Sequence, residues 1–299
     1  MKFVISGANG FIGSRLVNKL FESGYNVIGI VRNSRENVDS IKGKCKLVFS
    51  ELEDLNISDF ADGDQDVVVY HLAWQGVNGK EKGDQLIQIK NIEMGLAFAK
   101  FASRIQCKKF LCAGTIAEES VKSFSKLSNI PASYSYAIAK FALRNLIKSY
   151  FSNKESKQVW MQFSNVYGPS NKTGNLISYT LDCLLKGQEA KFGPANQPYD
   201  FIYLDDLIQA IYKLGTTDVP NDFYFLGSGK PRLLKDYLNE IGTISNRPEL
   251  IKIGERPDDG IEYTWDMFDN KNTVRDLGNY VSGDFEKHIK YTISEYLKG

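Results

Sequence analysis

Short apolar runs alternate with longer stretches of helical periodicity along the first two thirds of the chain. The run at residues 66–72 has no polar alternation, which is typical of a strand buried on both faces of a parallel sheet. Similar runs predict further strands at residues 3–5, 26–31, 46–49 and 109–113. Apolar residues at helical spacing predict helices at residues 12–21, 85–103 and 133–150. Strands and helices in this alternating order predict a doubly wound parallel α/β sheet.

The last third of the chain has a different pattern. From about Pro169 onward, clusters of glycine, proline and asparagine separate short apolar runs. Helical spacing returns at residues 175–186 and again at residues 284–297. We therefore predict two units. One comprises residues 1–168, with residues 200–216 returning to it, and a smaller one consists mainly of residues 169–299.

A glycine-rich turn follows the first apolar run. Gly7, Gly10 and Gly13 stand between that run and the first predicted helix. Glycine tolerates positive φ and lets backbone N–H groups approach a ligand closely, and the dipole of a helix that begins there favours a pyrophosphate. This order of strand, turn and helix predicts a dinucleotide site, against the alternative of an ordinary strand–helix turn. The predicted cofactor contacts in the turn are Gly7, Asn9, Gly10, Phe11, Ile12 and Gly13.

The residues after later strands refine the cofactor prediction. An acidic residue at the end of the second strand would bind the adenosine ribose hydroxyls, but here Arg32 and Asn33 follow Val31. A guanidinium binds phosphate through two parallel hydrogen bonds, so Arg32 favours NADP over NAD; a solvated arginine is the alternative. Further predicted cofactor contacts lie at the ends of the next strands: Glu51, Leu52, Leu72, Ala73 and Trp74.

Composition argues against several other classes of protein. The chain is 42% hydrophobic and 24% charged, and its net charge of +1 gives no reason to expect nucleic acid or an anionic membrane as partner. Four cysteines without CxxC spacing and two histidines argue against a metal site. No apolar run approaches the length of a membrane span, and the chain opens on a predicted strand rather than a signal peptide. We therefore expect a cytoplasmic protein.

The candidate chemistry lies in the helix predicted at residues 133–150. Tyr136 and Lys140 are one helical turn apart and share a face. An ammonium about 4 Å from a phenol, at an effective dielectric of about 20, contributes about 4 kcal/mol before desolvation, or up to about three pKa units. Lys140 is therefore expected to lower the pKa of Tyr136 toward neutral for acid–base catalysis. Thr115, at the end of a predicted strand, can hold the substrate oxygen while the proton moves.

Five stretches, in this order, resemble the extended short-chain dehydrogenase/reductase family of nucleotide-sugar epimerases, dehydratases and reductases. They are GANGFIG (7–13), YHLAW (70–74), GTIAEE (114–119) with YAIAK (136–140), FSNVYGP (163–169) and DFIYLDDL (200–207). The resemblance implies a Rossmann-type fold with a smaller C-terminal substrate domain, an NAD(P) cofactor, and a strand at residues 201–203 that rejoins the first sheet. It also implies a triad of Thr115, Tyr136 and Lys140, in which Tyr136 is the acid/base and Lys140 also holds the nicotinamide ribose.

The resemblance extends to the substrate side. It implies that Asn165 contacts the pyrophosphate side of a nucleotide-sugar substrate and that Arg256 faces the nucleotide diphosphate, with a surface salt bridge as the alternative for Arg256. Asn175 is also predicted to bind substrate. Gln162 and Tyr199 stand where the family commonly has arginines, and the replacement at Tyr199 weakens the transfer of substrate contacts. Related enzymes often pair through the helices beside the tyrosine, which makes a homodimer a candidate assembly.

Other departures from the family narrow the implied chemistry. Sugar 4,6-dehydratases of the family have an Asp-Glu pair directly after the triad residue, where this chain has Ile116 and Ala117. Neither side chain can transfer a proton, so dehydration of that type is not predicted. Glu118 and Glu119 come next and are expected to be surface carboxylates. Neither histidine stands where the Cys–His pair of 3,5-epimerising relatives would require it.

The predicted function is NAD(P)-dependent reduction of a nucleotide-linked 4-keto sugar, with hydride from NADPH and the proton from Tyr136. The alternative is a C4 epimerase with tightly held NAD that uses the same triad. A non-catalytic dinucleotide-sensing protein is the alternative from another class. Such a protein tends to lack the tyrosine or the lysine, and this chain has both.

Overall fold

The computed structural model describes residues 1–33, 36–60, 66–126, 129–169, 171, 174–258 and 262–298. The strands are Lys2–Ser6 (β1), Asn26–Val31 (β2), Lys46–Phe49 (β3), Val67–His71 (β4), Lys109–Thr115 (β5), Lys157–Phe163 (β6), Asn165–Tyr167 (β7), Ala190–Phe192 (β8), Pro198–Tyr199 (β9), Phe201–Tyr203 (β10), Phe223–Leu226 (β11), Arg232–Leu233 (β12) and Ile251–Ile253 (β13). The α-helices are Phe11–Glu22 (α1), Gln85–Arg104 (α2), Ser135–Phe151 (α3), Leu176–Leu185 (α4), Leu204–Thr216 (α5), Leu234–Ile244 (α6), Lys271–Leu277 (α7) and Phe285–Tyr296 (α8).

Seven parallel strands form the central sheet, in the order β11-β6-β5-β4-β1-β2-β3. The strand order reverses between β1 and β4, and such a switch point opens a crevice at the carboxyl ends of the strands. The apolar pattern did not predict β6, because Gln158 and Gln162 interrupt its apolar residues although both are buried.

Helices cover both faces of this sheet, which confirms the predicted doubly wound architecture. Successive strand residues point to opposite faces, so Phe3 and Ile5 pack with one helical layer and Val4 with the other. The first layer contains α1 and α5, which pack together and contribute Leu16 and Ile211 to its apolar core. The second layer contains α2 and α3, which also pack side by side.

Among the residues that the structure describes, three two-stranded sheets lie outside the central sheet, and part of the C-terminal region forms a separate apolar core. β7 pairs with β10, β8 with β13, and β9 with β12. Leu181, Leu238 and Ile289, from α4, α6 and α8, lie in that core. The predicted return of residues 201–203 to the first sheet is wrong, because β10 pairs with β7 and β11 takes the edge beside β6. α5 does pack on α1. The division between residues 1–168 with 200–216 and the remainder of 169–299 stays a prediction.

Three further observations concern the described residues. No helix among them is both long and apolar enough to cross a membrane. The same residues contain no group of His, Cys, Asp and Glu side chains that could hold a metal ion. All four cysteines are free thiols, and Cys107 and Cys112 are buried.

Candidate active site

The glycine turn between β1 and α1 is closely packed. Gly7 has a φ of +69°, and its carbonyl oxygen accepts the Gly10 N–H at 3.0 Å. A Cβ atom on Gly13 would lie 2.1 Å from the same oxygen, so only glycine fits there. α1 begins at Phe11, and Gly10 caps it without a side-chain hydrogen bond, which leaves backbone N–H groups directed at an incoming anion. The turn therefore fits the pyrophosphate of a dinucleotide.

A cleft of about 460 Å³ opens beside this turn, at the ends of β1 to β4. Nine of the predicted cofactor contacts line it: Gly7, Asn9, Gly10, Arg32, Glu51, Leu52, Leu72, Ala73 and Trp74. Of the six other predicted cofactor contacts, Tyr136 and Lys140 lie on α3. The remaining four lie elsewhere. Phe11 and Ile12 pack against the core, Gly13 is buried under the turn, and Asn33 is exposed. The structure thus gathers most of the predicted cofactor residues around one cleft at the switch point.

Arg32 lines this cleft next to acidic side chains. Its guanidinium donates to Glu36 Oε1 at 2.9 Å, and 51% of its side chain is exposed. This hydrogen bond raises the pKa of Arg32, burial opposes the change, and the charges of Glu36 and Glu51 add to it. A 2′-phosphate would therefore have to share or displace the Glu36 carboxylate.

Thr115, Tyr136 and Lys140 lie together at the carboxyl end of β5. Thr115 is the last residue of β5, and Tyr136 and Lys140 are in the first two turns of α3. The Tyr136 side chain lies close enough to that of Thr115 for a hydrogen bond between them to affect the pKa of Tyr136, and the Thr115 hydroxyl accepts the Ala117 backbone N–H at 3.3 Å. Lys140 is buried, and its ammonium donates to the Ala113 carbonyl oxygen at 2.7 Å. The structure brings the three predicted catalytic side chains into one group.

Burial dominates the electrostatics of this group. It raises the pKa of Tyr136; the hydrogen bond with Thr115 opposes this change, and the charge of Glu118 adds to it. Burial also lowers the pKa of Lys140 to about 8, against the charges of Cys112 and Glu118. The expected lowering of the Tyr136 pKa by Lys140 is therefore wrong, because burial raises this pKa and the charge of Lys140 is not among the causes that act on it. Tyr136 is a protonated phenol at neutral pH.

Glu118 and Glu119 are buried, so the expectation that they are surface carboxylates is wrong. Glu118 accepts the Thr115 backbone N–H at 2.7 Å and the Trp160 indole N–H at 3.0 Å. Arg144 lies 3.7 Å from the Glu118 carboxylate. Burial raises the pKa of Glu118 to about 7, against the Thr115 hydrogen bond and the Arg144 charge. Glu118 thus supports the strand end that carries Thr115.

Gln162 and Tyr199, which stand where the resemblance implies arginines, hold neighbouring side chains. Gln162 donates to Glu119 Oε1 at 3.0 Å. The Tyr199 hydroxyl donates to Asn165 Oδ1 at 2.9 Å, and Asn165 Nδ2 donates to the Asp200 carbonyl oxygen at 3.0 Å. Both ends of the Asn165 amide are therefore engaged, and a substrate contact through it would replace one of these bonds.

Asn175 and Arg256 lie in the C-terminal part. Asn175 is the N-cap of α4 and accepts the Ser178 N–H at 3.0 Å. Arg256 donates to the Tyr179 hydroxyl at 2.8 Å and lines a second cleft, of about 400 Å³. Asn175 thus stabilises the start of α4, whereas the Arg256 guanidinium lies at a concave surface.

Two buried amides on α2 support the site and were not predicted. Gln88 accepts the Trp74 indole N–H at 2.9 Å. Asn91 accepts the Gln75 backbone N–H at 2.9 Å and donates to the Gln75 carbonyl oxygen at 2.8 Å. The spacing of Gln88 and Asn91 in the sequence could have indicated this role. Two amide side chains one turn apart on the inner face of a helix need polar partners.

Two relatives match most of the chain. The CDP-abequose synthase of Salmonella typhimurium is 25% identical over 295 residues, which cover 96% of this chain and 95% of that protein. The dTDP-6-deoxy-L-talose 4-dehydrogenase (NAD(+)) of Aggregatibacter actinomycetemcomitans is 26% identical over 248 residues, which cover 80% of this chain and 89% of that protein.

A solved structure shares the fold, and a family model matches most of the chain. The structure is a UDP-glucuronic acid 4-epimerase variant from Bacillus cereus, in complex with UDP-4-deoxy-4-fluoro-glucuronic acid and NAD. It has a TM-score of 0.80 at 20% identity and covers 100% of this chain and 99% of that one. The model of the NAD dependent epimerase/dehydratase family matches residues 3–227, which include the glycine turn and the Thr115, Tyr136 and Lys140 group. The chain is therefore an enzyme that belongs to the NAD dependent epimerase/dehydratase family.

Proposed function

We propose that this protein reduces the 4-keto group of a nucleotide-linked sugar, with Tyr136 as the proton donor. The observation that carries the proposal is the placement of Thr115 at the end of β5 together with Tyr136 and Lys140 in the first two turns of α3. Burial raises the pKa of Tyr136, so its phenol is protonated at neutral pH. Reduction of a ketone needs an acid at the carbonyl oxygen, whereas oxidation of an alcohol needs a base. A protonated tyrosine is already in the form that reduction requires.

Each member of the group has its own role in this reaction. The Thr115 hydroxyl binds the carbonyl oxygen, and Tyr136 transfers its phenolic proton to that oxygen. A bound NAD(P)H supplies the hydride that the carbonyl carbon receives. Lys140, one turn along α3, stabilises the tyrosinate that remains until a proton returns from solvent.

Residues around the triad support redox chemistry at C4 rather than elimination. Ile116 is buried and apolar, and Ala117 has no side-chain proton to transfer. Glu118 is occupied by the hydrogen bonds from Thr115 and Trp160. One relative is named as an NAD(+) 4-dehydrogenase of a dTDP-linked sugar, and another as a CDP-linked sugar synthase. Both names support a nucleotide-linked sugar as substrate here.

NADP is the proposed cofactor, because Arg32 lines the cleft where the adenosine ribose would lie. One observation favours a second candidate, a C4 epimerase with tightly held NAD. The Arg32 guanidinium is paired with Glu36, and Glu51 is close enough to affect its pKa. Two carboxylates disfavour a 2′-phosphate and suit ribose hydroxyls.

We also propose a homodimer formed by α2 and α3. These helices pack side by side on one face of the sheet. Their outward surfaces expose apolar side chains, with Leu86 79%, Ile89 52%, Leu146 44% and Ile138 40% exposed. Burial of such a patch against its own copy would remove apolar surface from water.

Identification of the released dinucleotide, followed by a turnover assay, tests the proposed function. The purified protein is denatured, and any nucleotide it releases is identified by mass spectrometry. Native protein is then assayed for NADPH consumption with 4-keto sugars linked to CDP, dTDP and UDP. We expect freely exchanging NADPH and ketone-dependent oxidation of it. Stoichiometric retained NAD, no response to added NADPH and interconversion of C4 epimers would instead establish the epimerase.

A further inference from the structure

The loop that follows β4 is fixed to α2 by buried amide side chains. Asn91 binds both backbone polar groups of Gln75, at 2.9 and 2.8 Å. Gln88 Nε2 donates to the carbonyl oxygens of Gly76 at 2.9 Å and Glu81 at 3.1 Å. Gln88 and Asn91 are both almost completely buried. The loop therefore has one preferred position relative to α2, because release of either amide would leave buried polar groups unpaired.

Trp74 is the side chain that this arrangement places in the active site. Its indole N–H donates to Gln88 Oε1 at 2.9 Å, which sets the plane of the ring. The Lys140 Nζ atom lies 3.6 Å from the centroid of that ring. The ring of Tyr136 meets it edge-on, with centroids 5.9 Å apart and an interplanar angle of 89°. The Lys140 ammonium is thus held between the indole face and the Ala113 carbonyl oxygen.

We propose that Trp74 is a positioning residue that holds the Lys140 ammonium in place, one helical turn from Tyr136. An indole is the aromatic side chain that attracts a cation most strongly, and its face also keeps water from the ammonium. The hydrogen bond to Gln88 prevents the ring from turning away, so the position of Lys140 is set from α2 through Trp74. The effect of Trp74 on turnover rests on the proposed function, but the contact between the Trp74 ring and the Lys140 ammonium does not.

Several charged and titratable groups surround Lys140 and define its protonation. Burial lowers the pKa of Lys140 to about 8, against Cys112 from β5 and Glu118 from the segment after it. His71 from β4 is close enough for Lys140 to lower its pKa. On α3 itself the neighbouring groups are Tyr136, one turn before Lys140, and Arg144, one turn after it. The ring face favours the charged form, but the ring also excludes water, so loss of Trp74 removes two opposing effects and should shift the pKa of Lys140 by their balance.

A fluorescence titration tests the contact without any ligand. The four proteins are wild type, Trp74→Phe, Lys140→Met and the double variant. The emission of wild type minus that of Trp74→Phe isolates Trp74 from Trp160 and Trp265, the other tryptophans of the chain. We expect this difference to change with a midpoint near pH 8. The corresponding difference in the Lys140→Met background should be flat. The proposal would be overturned if the emission difference caused by Trp74→Phe changed with pH equally with and without Lys140. It would also be overturned if that difference were independent of pH in both backgrounds.

The pH dependence of turnover separates positioning from a merely structural effect. Trp74→Ala should shift the alkaline limb of kcat/KM by about one pH unit, and Trp74→Phe, which keeps an aromatic face, should restore most of the wild-type profile. Trp265→Phe changes an exposed tryptophan and should leave the profile unchanged. If the alkaline limb of kcat/KM in Trp74→Ala stayed at its wild-type pH while the emission difference titrated, the positioning role would be contradicted. Absence of any turnover in wild type would contradict the proposed function, and the emission titration would still decide the contact.

Discussion

At the residue scale, Glu118 and Tyr136 have surroundings in the folded protein that differ from those that their sequence positions indicated. Residues 116–126 have a polar pattern typical of surface, yet Glu118 is completely buried. Glu118 is buried because it accepts a hydrogen bond from the Trp160 indole on β6. Trp160 is 42 residues away in the sequence, so local periodicity could not indicate this partner. Burial likewise reversed the expected pKa change of Tyr136, because the spacing of Tyr136 and Lys140 contains no information on desolvation.

Glu118 should make the stability of the protein depend on pH. Its pKa is about 7 in the folded protein and about 4.5 ordinarily, so the folded state binds more protons between these values. The free energy of unfolding should therefore fall by about 3 kcal/mol from this group as pH rises from about 4.5 to about 7. Glu118→Gln should lack this component, as measured by urea unfolding at several pH values. Glu119→Gln keeps Glu118 and serves as the control. Equal pH dependence in wild type and Glu118→Gln would contradict this prediction.

Arg32 should determine the choice between the two dinucleotides. Arg32→Ala is expected to raise KM for NADPH by about ten- to a hundredfold and to leave KM for NADH nearly unchanged, because only the 2′-phosphate needs the guanidinium. Glu36→Gln should lower KM for NADPH by releasing Arg32 from its carboxylate partner. Lys90→Ala, on the same cleft but paired with Glu53, is the control. An Arg32→Ala enzyme with unchanged preference would favour NAD as the natural cofactor.

At the element scale, the strands with uninterrupted apolar runs and the helices between them were predictable. Residues 66–72 predicted β4, and residues 133–150 predicted α3 to within two residues at its start. β6 was not predictable from its pattern, since its buried glutamines find partners only after folding. Sequence periodicity could not predict the pairing of β10 with β7 either. A three-residue strand does not indicate its neighbour, and only the assembled sheet shows that β11 takes the edge.

The junction of β1 and α1 allows a direct test of the glycine turn. Gly13→Ala would place a Cβ 2.1 Å from the Gly7 carbonyl oxygen, so the helix start must move. We expect at least about a tenfold loss of dinucleotide affinity and a loss of about 1–3 kcal/mol in the free energy of unfolding. Titration calorimetry and urea unfolding measure the two effects.

Gly24→Ala is the matched control for that substitution. Gly24 has a φ of +80° and no atom within 4 Å of an added Cβ. Its replacement should therefore cost about 1 kcal/mol of stability through backbone strain alone. Dinucleotide affinity should not change. Equal loss of affinity in both variants would show that the effect is one of stability and not of the turn.

At the scale of the whole molecule, the two helical layers have different tasks. The layer of α1 and α5 supports the glycine turn from one face of the sheet. The layer of α2 and α3 holds Trp74, Tyr136 and Lys140 on the other. The cleft lined by the predicted cofactor contacts opens at the switch point between β1 and β4, where both layers meet the carboxyl ends of the strands. The fold class was predictable because alternating strands and helices specify a doubly wound sheet; the substrate contacts were not, because they depend on loops.

The proposed dimer is also a property of the whole molecule. Leu86→Glu combined with Leu146→Glu should convert the protein to a monomer, because charged side chains would face each other across the α2 and α3 surface. Light scattering after size-exclusion chromatography measures the mass. Phe21→Glu changes a 47% exposed apolar residue on α1 and should leave the dimer intact. A monomeric wild type at micromolar concentration would contradict the proposed assembly.

The central claim is that Tyr136 gives its proton to the oxygen of a nucleotide-linked sugar ketone. The most direct measurement compares ketone-dependent NADPH oxidation by wild type, Tyr136→Phe and Tyr150→Phe, with NADPH binding measured on the same samples. Tyr136→Phe should lose about a hundred- to ten-thousandfold in kcat while it still binds NADPH, and Tyr150→Phe, on the same helix, should keep wild-type activity. A Tyr136→Phe enzyme that turns over at the wild-type rate would contradict the account.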